Sequence, residues 1–131
     1  MNQLSDVGIM SKSVVLVVED DELLRQLLTD VVSDTGAIVD AVATAEAGLK
    51  VFKHRKDLDL VLTDVNTPGC INGWDLAKAI YEKRPDLPVI ISTGYGYQLN
   101  SQLPPSASLL PKPWALDELC SMVKTCLKRD S

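Results

Sequence analysis

Reactive side chains stand directly behind apolar runs at four places along the chain. Glu19, Asp20 and Asp21 follow VVLVV, Asp64 closes LVLTD, Ser92 and Thr93 close the run from Val89, and Lys112 follows SLL between Pro111 and Pro113. Brought to one edge of a fold, these carboxylates would share a small volume with a hydroxyl and an amine. Such crowding raises a carboxyl pKa unless a cation is present. A hard divalent cation relieves it, and Mg2+ takes one or two carboxylates together with waters and phosphate oxygens. The set therefore reads as a site for Mg2+ and a phosphoryl group. Asp64 would be the nucleophile toward phosphorus. The metal, Thr93 and Lys112 would hold the equatorial oxygens as charge develops. The bland alternative is an aspartate that caps the turn before Pro68 and Gly69; the residues at the other strand ends weigh against it.

A chain of alternating strands and helices would position these residues. Val14 to Val18 is a continuous β-branched and leucine run, the mark of a strand buried on both faces. Asp20, Asp21 and Glu22 open a helix where acids suit the dipole, with a stripe of Leu23, Leu24, Leu27, Leu28, Val31 and Val32, and Gly36 stops it. Ala37 to Val42 reads as a second strand, and Thr44 caps a second helix that Gly48 weakens. Leu58 to Thr63 is the third strand. Asn72 and Gly73 lead into a helix from Trp74 to about Lys83 with Leu76, Ala77 and Ile80 inward. Val89 to Ser92 is the fourth strand, Tyr97 to Leu103 a short helix in a stretch rich in Gly and Pro, and Ser108 to Leu110 a fifth strand. Trp114 to about Lys128 is the last helix, with Leu116, Leu119, Cys120, Val123, Cys126 and Leu127 on one face. Five strands alternating with helices give an α/β fold: a doubly wound parallel sheet, flavodoxin-like, with a short or irregular fourth helix. Ligand sites in such sheets lie outside the carboxyl ends of the strands, where the reactive residues fall.

The totals set limits. At 131 residues the chain is one domain long enough for a real core, read as a flexible tail over 1–12 and a folded domain over 13–131. A net charge of −5 and a pI near 4.7 argue against nucleic acid or an anionic membrane as the direct ligand. No apolar run approaches the ~18 residues of a membrane span, and the first ten residues lack the pattern of a signal peptide. Cys70, Cys120 and Cys126 are an odd number with no metal-type spacing, as in a reducing cytoplasm. His54, the only histidine, sits at a charged helix end and reads as solvated.

Five stretches in order, VVLVVEDD (14–21), LVLTDVNTPG (60–69), NGWDLA (72–77), LPVIISTGY (87–95) and LPKPW (110–114), make the chain resemble a response-regulator receiver domain of two-component signalling. The likeness covers about residues 13 to 129, and the loop from Pro68 to Gly73 gives it the style of receivers of hybrid histidine kinases. The resemblance implies a phosphoprotein in a phosphorelay: Asp64 takes a phosphoryl group from the phosphohistidine of a histidine kinase or phosphotransfer protein, with Mg2+, and partner binding switches. It implies that Asp20 binds the metal directly, Glu19 through water, and Asn66 through its backbone carbonyl. It implies that Thr93 moves toward the phosphate, that Lys112 pairs with it, and that the Lys112–Pro113 bond is cis. Such a domain catalyses its own phosphorylation and dephosphorylation and is otherwise not an enzyme. The output partner is open, no output domain is expected in this chain, and a weak homodimer is one arrangement the resemblance allows.

The chain departs from the family pattern in places. Leu109 stands where an aromatic switch residue is usual, leaving Tyr95 or Tyr97 as substitutes or Leu109 as plain packing. The short Thr93-to-Lys112 segment suggests a different or more mobile output face. Cys70 lies near Asp64 in sequence, which admits a redox role. Two other classes compete. Asp64-Val65-Asn66-Thr67 faintly resembles the D-x-D-x-T motif of aspartate phosphatases, but Asn66 replaces the second acid. A pseudo-receiver using the fold without the chemistry is the third reading; Asp20, Asp64, Thr93 and Lys112 together argue against it.

Overall fold

The strand runs carry apolar side chains on both sides, and the fold gives each side a layer of helices. The computed structural model describes residues 12–94 and 103–127. In chain order the elements are β1 (Val14–Val18), α1 (Glu22–Ser33), β2 (Ile38–Val42), α2 (Ala45–His54), β3 (Leu60–Asp64), α3 (Gly73–Lys83), β4 (Val89–Thr93), β5 (Ala107–Pro111) and α4 (Leu116–Leu127). The strands form one parallel sheet in the order β2-β1-β3-β4-β5. This is the doubly wound flavodoxin-like order.

Period-two alternation divides the core. Val14, Leu16, Val18, Val61, Val89 and Ile91 face α2 and α3, where Ala45, Phe52, Leu76, Ala77 and Ile80 meet them. Val15, Val17, Leu60, Leu62 and Ile90 face α1 and α4, where Leu28, Val32, Leu119 and Val123 meet them. Leu109 is half-buried and packs on the α2–α3 side.

Local signals place the helix ends. Asp21 caps α1 by accepting the Leu24 N–H at 3.0 Å, Thr44 caps α2 by accepting the Ala47 N–H at 3.1 Å, and Asn72 with Asp75 forms a capping box on α3. α2 runs through Gly48 despite the low helix propensity of glycine. A Cβ there would lie 2.9 Å from Val18 Cγ2, so the glycine lets the helix seat directly on β1.

Several boundaries and faces differ from the sequence reading. Leu23 is 83% exposed and Leu27 41%, so the α1 stripe narrows to Leu24, Leu28, Val31 and Val32. The six positions span about half the helix circumference, and Leu23 and Leu27 lie together at one edge of that arc, the edge left in solvent. The last helix begins at Leu116, which is 46% exposed, two residues after Trp114, because the chain bends at Lys112 and Pro113 after β5 ends. β3 extends through Asp64 and β4 through Thr93, so both residues are strand members rather than loop residues. Residues 1–11 of the expected 1–12 tail, the two tyrosines Tyr95 and Tyr97, and most of the short fourth helix lie outside the described residues. Among the described residues no helix is long and apolar enough to cross a membrane.

Candidate functional site

β1 and β3 are neighbours, but the chain leaves β1 for α1 on one face and β3 for α3 on the other. The crevice at their carboxyl ends is thus a topological switch point, open between diverging loops. Glu19, Asp20 and Asp64 meet there, with one carboxylate oxygen of each within 4.8 Å of the others.

The three acids after β1 have separate fates. Glu19 is buried; its N–H donates to the Val42 carbonyl at 3.0 Å, and its carboxylate accepts the Asp21 N–H at 3.0 Å. Asp21 turns away to cap α1, and Asp20 remains exposed at the mouth of the crevice. Burial holds the Glu19 carboxyl above its usual range; the Asp21 N–H opposes this and the Asp64 charge adds to it. Arg25 steadies the turn by donating to the Glu19 and Asp20 carbonyls at 3.0 and 3.4 Å. Sequence reading does not single out Arg25, since one basic residue one turn into a helix carries no distinctive spacing.

Asp64 ends β3 beside Ser92 of β4 and is only 8% exposed. Its Oδ2 accepts from Lys112 Nζ at 3.1 Å, and its Oδ1 faces the Asn66 N–H at 3.4 Å. Behind it, a Cβ on Gly73 would lie 2.9 Å from the Val65 Cα, so the start of α3 can press against this strand end only as glycine. Thr93 is buried, and its carbonyl accepts the Lys112 N–H at 2.8 Å, tying the β4 and β5 ends together. The Lys112–Pro113 peptide is cis. Trp114 contributes a contact that the sequence reading missed: its Nε1 donates to Ser92 Oγ at 3.0 Å. The signal was available, because an indole N–H beside a buried strand end needs an acceptor.

Glu19, Asp20, Asp64, Thr93 and Lys112 therefore gather at one sheet edge, and Asn66 lies on its rim. Opposite donors on a Mg2+ ion stand about 4.2 Å apart. The three carboxylates thus fit one small cation with slight closure, or with one of them bound through water. The donor set is all oxygen and anionic, the chemistry of a hard divalent ion.

Comparisons with known proteins agree with this architecture. Residues 15–124 match the family described as the response regulator receiver domain. The response regulator protein FleR of Pseudomonas aeruginosa is 38% identical over 112 residues, which cover 83% of this chain and 23% of that protein. The DNA-binding transcriptional regulator NtrC of Proteus hauseri is 31% identical over 121 residues, 90% of this chain and 25% of that protein. The chain thus spans about a quarter of the length of these two relatives. Among solved structures, a receiver domain protein from Clostridium thermocellum superposes with a TM-score of 0.80 at 26% identity, covering 89% of this chain and 95% of that one. The response regulator protein TrrA from Thermotoga maritima, solved in complex with Mg(2+)-BeF, superposes with a TM-score of 0.76 at 31% identity, covering 88% and 99%.

Proposed function

The chain belongs to the response regulator receiver domain family, and from that premise we propose that Asp64 is a phosphoacceptor whose modification switches the binding of a partner. The observation that carries this reading is the setting of the Asp64 carboxylate. It lies nearly buried between Lys112 at 3.1 Å and the acidic pair Glu19 and Asp20, at the open edge of a parallel sheet.

An Asp64 carboxylate oxygen attacks the phosphorus of a donor phosphohistidine. The P–N bond breaks as the P–O bond forms, and the imidazole leaves with a proton from solvent. Asp20 and Asp64 would hold Mg2+ directly, Glu19 through water, and Asn66 through its backbone carbonyl. The ion supplies positive charge for the phosphoryl oxygens. Lys112 pairs with one of those oxygens, and the Thr93 hydroxyl moves to another, which pulls on the end of β4. Hydrolysis of the acyl phosphate returns the domain to its first state. The donor is a histidine kinase or phosphotransfer protein, and the output is read by a partner that distinguishes the two populations. TrrA, with Mg(2+)-BeF in its structure, supports the choice of metal by likeness.

The test is intact mass after incubation with acetyl phosphate and Mg2+, beside Asp64→Asn and an EDTA control. One phosphoryl adduct on the wild type, lost in both controls, is the expected result. An adduct that persists in Asp64→Asn would overturn the assignment.

A further inference from the structure

We infer that Glu46, in the first turn of α2, is a positioning residue for the site: it clamps the β3–α3 loop so that the Asn66 carbonyl is set for metal binding. The inference rests on the metal role proposed for Asn66. The two ends of that loop are tied to the sheet and to α3. Val65 N–H donates to the Ser92 carbonyl at 3.1 Å, Gly73 N–H to the Val65 carbonyl at 2.9 Å, and Asn72 and Asp75 exchange bonds of 3.0 Å. The middle of the loop leans on Glu46, 24 residues earlier in the chain. The Glu46 carboxylate accepts the Cys70 N–H through Oε2.

Gly69 shows how closely the two fit. It adopts φ +113°, a conformation suited to glycine, and a Cβ there would run into the Glu46 carboxylate. The other oxygen, Oε1, is buried and makes no hydrogen bond. The Cys70 N–H, then Glu46's own amide at the start of α2 and, more weakly, the Ile71 N–H favour the carboxylate, holding it below the usual range. The clamp is thus anchored in a helix that Thr44 caps. From Cys70 and Ile71 the hold passes inward, because the Thr67 hydroxyl donates to the Ile71 carbonyl at 3.3 Å, one residue from Asn66. A residue that orients a metal ligand from outside the ligand set typically changes metal affinity about 10- to 100-fold.

The experiment follows backbone amides by NMR during Mg2+ titration, and their hydrogen exchange without the metal, in the full chain. Glu46→Ala should weaken Mg2+ binding about 10-fold and speed exchange at Cys70 and Ile71. Glu46→Gln keeps an acceptor oxygen and should recover most of both. Gly69→Ala leaves Glu46 and α2 intact but pushes the loop away, and should reproduce the loss of affinity with α2 amides still protected. A merely structural role in α2 predicts the opposite pattern: faster exchange in α2 of Glu46→Ala, with Mg2+ affinity unchanged there and in Gly69→Ala. That result would overturn the clamp and leave the proposed phosphoacceptor standing. Absence of Mg2+ binding to the wild type would overturn the metal reading, and the clamp with it.

Discussion

Lys112 is the one side-chain cation bonded to Asp64 among the described residues, at 3.1 Å. In the proposed reaction it would repel an incoming metal and attract an incoming phosphoryl group. Replacing it should therefore separate the two events. In Lys112→Met, Mg2+ binding should tighten, because a competing cation is gone, whereas the rate of adduct formation should fall about 100-fold, the usual effect of deleting one charge-stabilising donor. Titration calorimetry and mass-resolved time courses would read the two arms, and weaker Mg2+ binding in this variant would contradict the argument. Glu46 gives a second prediction at this scale. Its folded carboxyl lies below the ordinary value of 4.5 because the Cys70 N–H favours the anion. A depressed pKa means that the contribution to stability is complete above the unfolded value and is lost as pH falls through the folded one. Exchange at Cys70, corrected for its intrinsic pH dependence, should stay flat above pH 5 or so and rise as pH drops below about 4.5. Glu46→Gln should lack that rise.

Among the elements, α2 is where two propensities conflict most openly. Gly48 lowers the helix propensity of α2, yet its missing side chain allows the helix to lie against Val18. Gly48→Ala gains about 1 kcal/mol of helix propensity. It also forces a Cβ to 2.9 Å from a methyl group of a fully buried strand. Overpacking of that kind costs about 1–3 kcal/mol, so the substitution should destabilise by about 1 kcal/mol net, which urea denaturation can measure. A gain in stability would mean that β1 yields more easily than a central strand with neighbours on both sides should. The same scale explains the α1 stripe. Leu23 and Leu27 fit the apolar period, but the groove between β1 and α4 admits only the part of the helix that carries Leu24, Leu28 and Val32.

For the whole molecule, the controlling feature is the concentration of negative charge at one sheet edge of a chain that already carries −5. Folding brings Asp64 up to the sequence neighbours Glu19 and Asp20, from which the unfolded chain separates it. A ligand that binds only the folded state stabilises it by mass action. Mg2+ at about 100 times its Kd should add about 2.7 kcal/mol and raise the melting temperature over an EDTA baseline. Asp20→Asn should abolish most of that increment while raising the baseline itself, since one of three repelling charges is removed. A Mg2+-dependent rise that survives in Asp20→Asn would place the ion elsewhere.

The sequence alone determined the order of the described strands and helices, because continuous β-branched runs, Thr44, Asn72 and the apolar periods are local signals that act wherever the chain goes. It also determined which residues could meet. In a parallel sheet every strand's carboxyl end lies on one edge, so Glu19, Asp64, Thr93 and Lys112 had to converge once the strands were recognised. Only the tertiary structure decided how the adjacent acids divide, with Glu19 buried, Asp20 open and Asp21 used as a cap. Only it showed that Trp114 reaches Ser92 and that Glu46 reaches Cys70. These contacts join elements 22 and 24 residues apart. Their geometry depends on how the helices seat on the sheet, and no local pattern of residues encodes that.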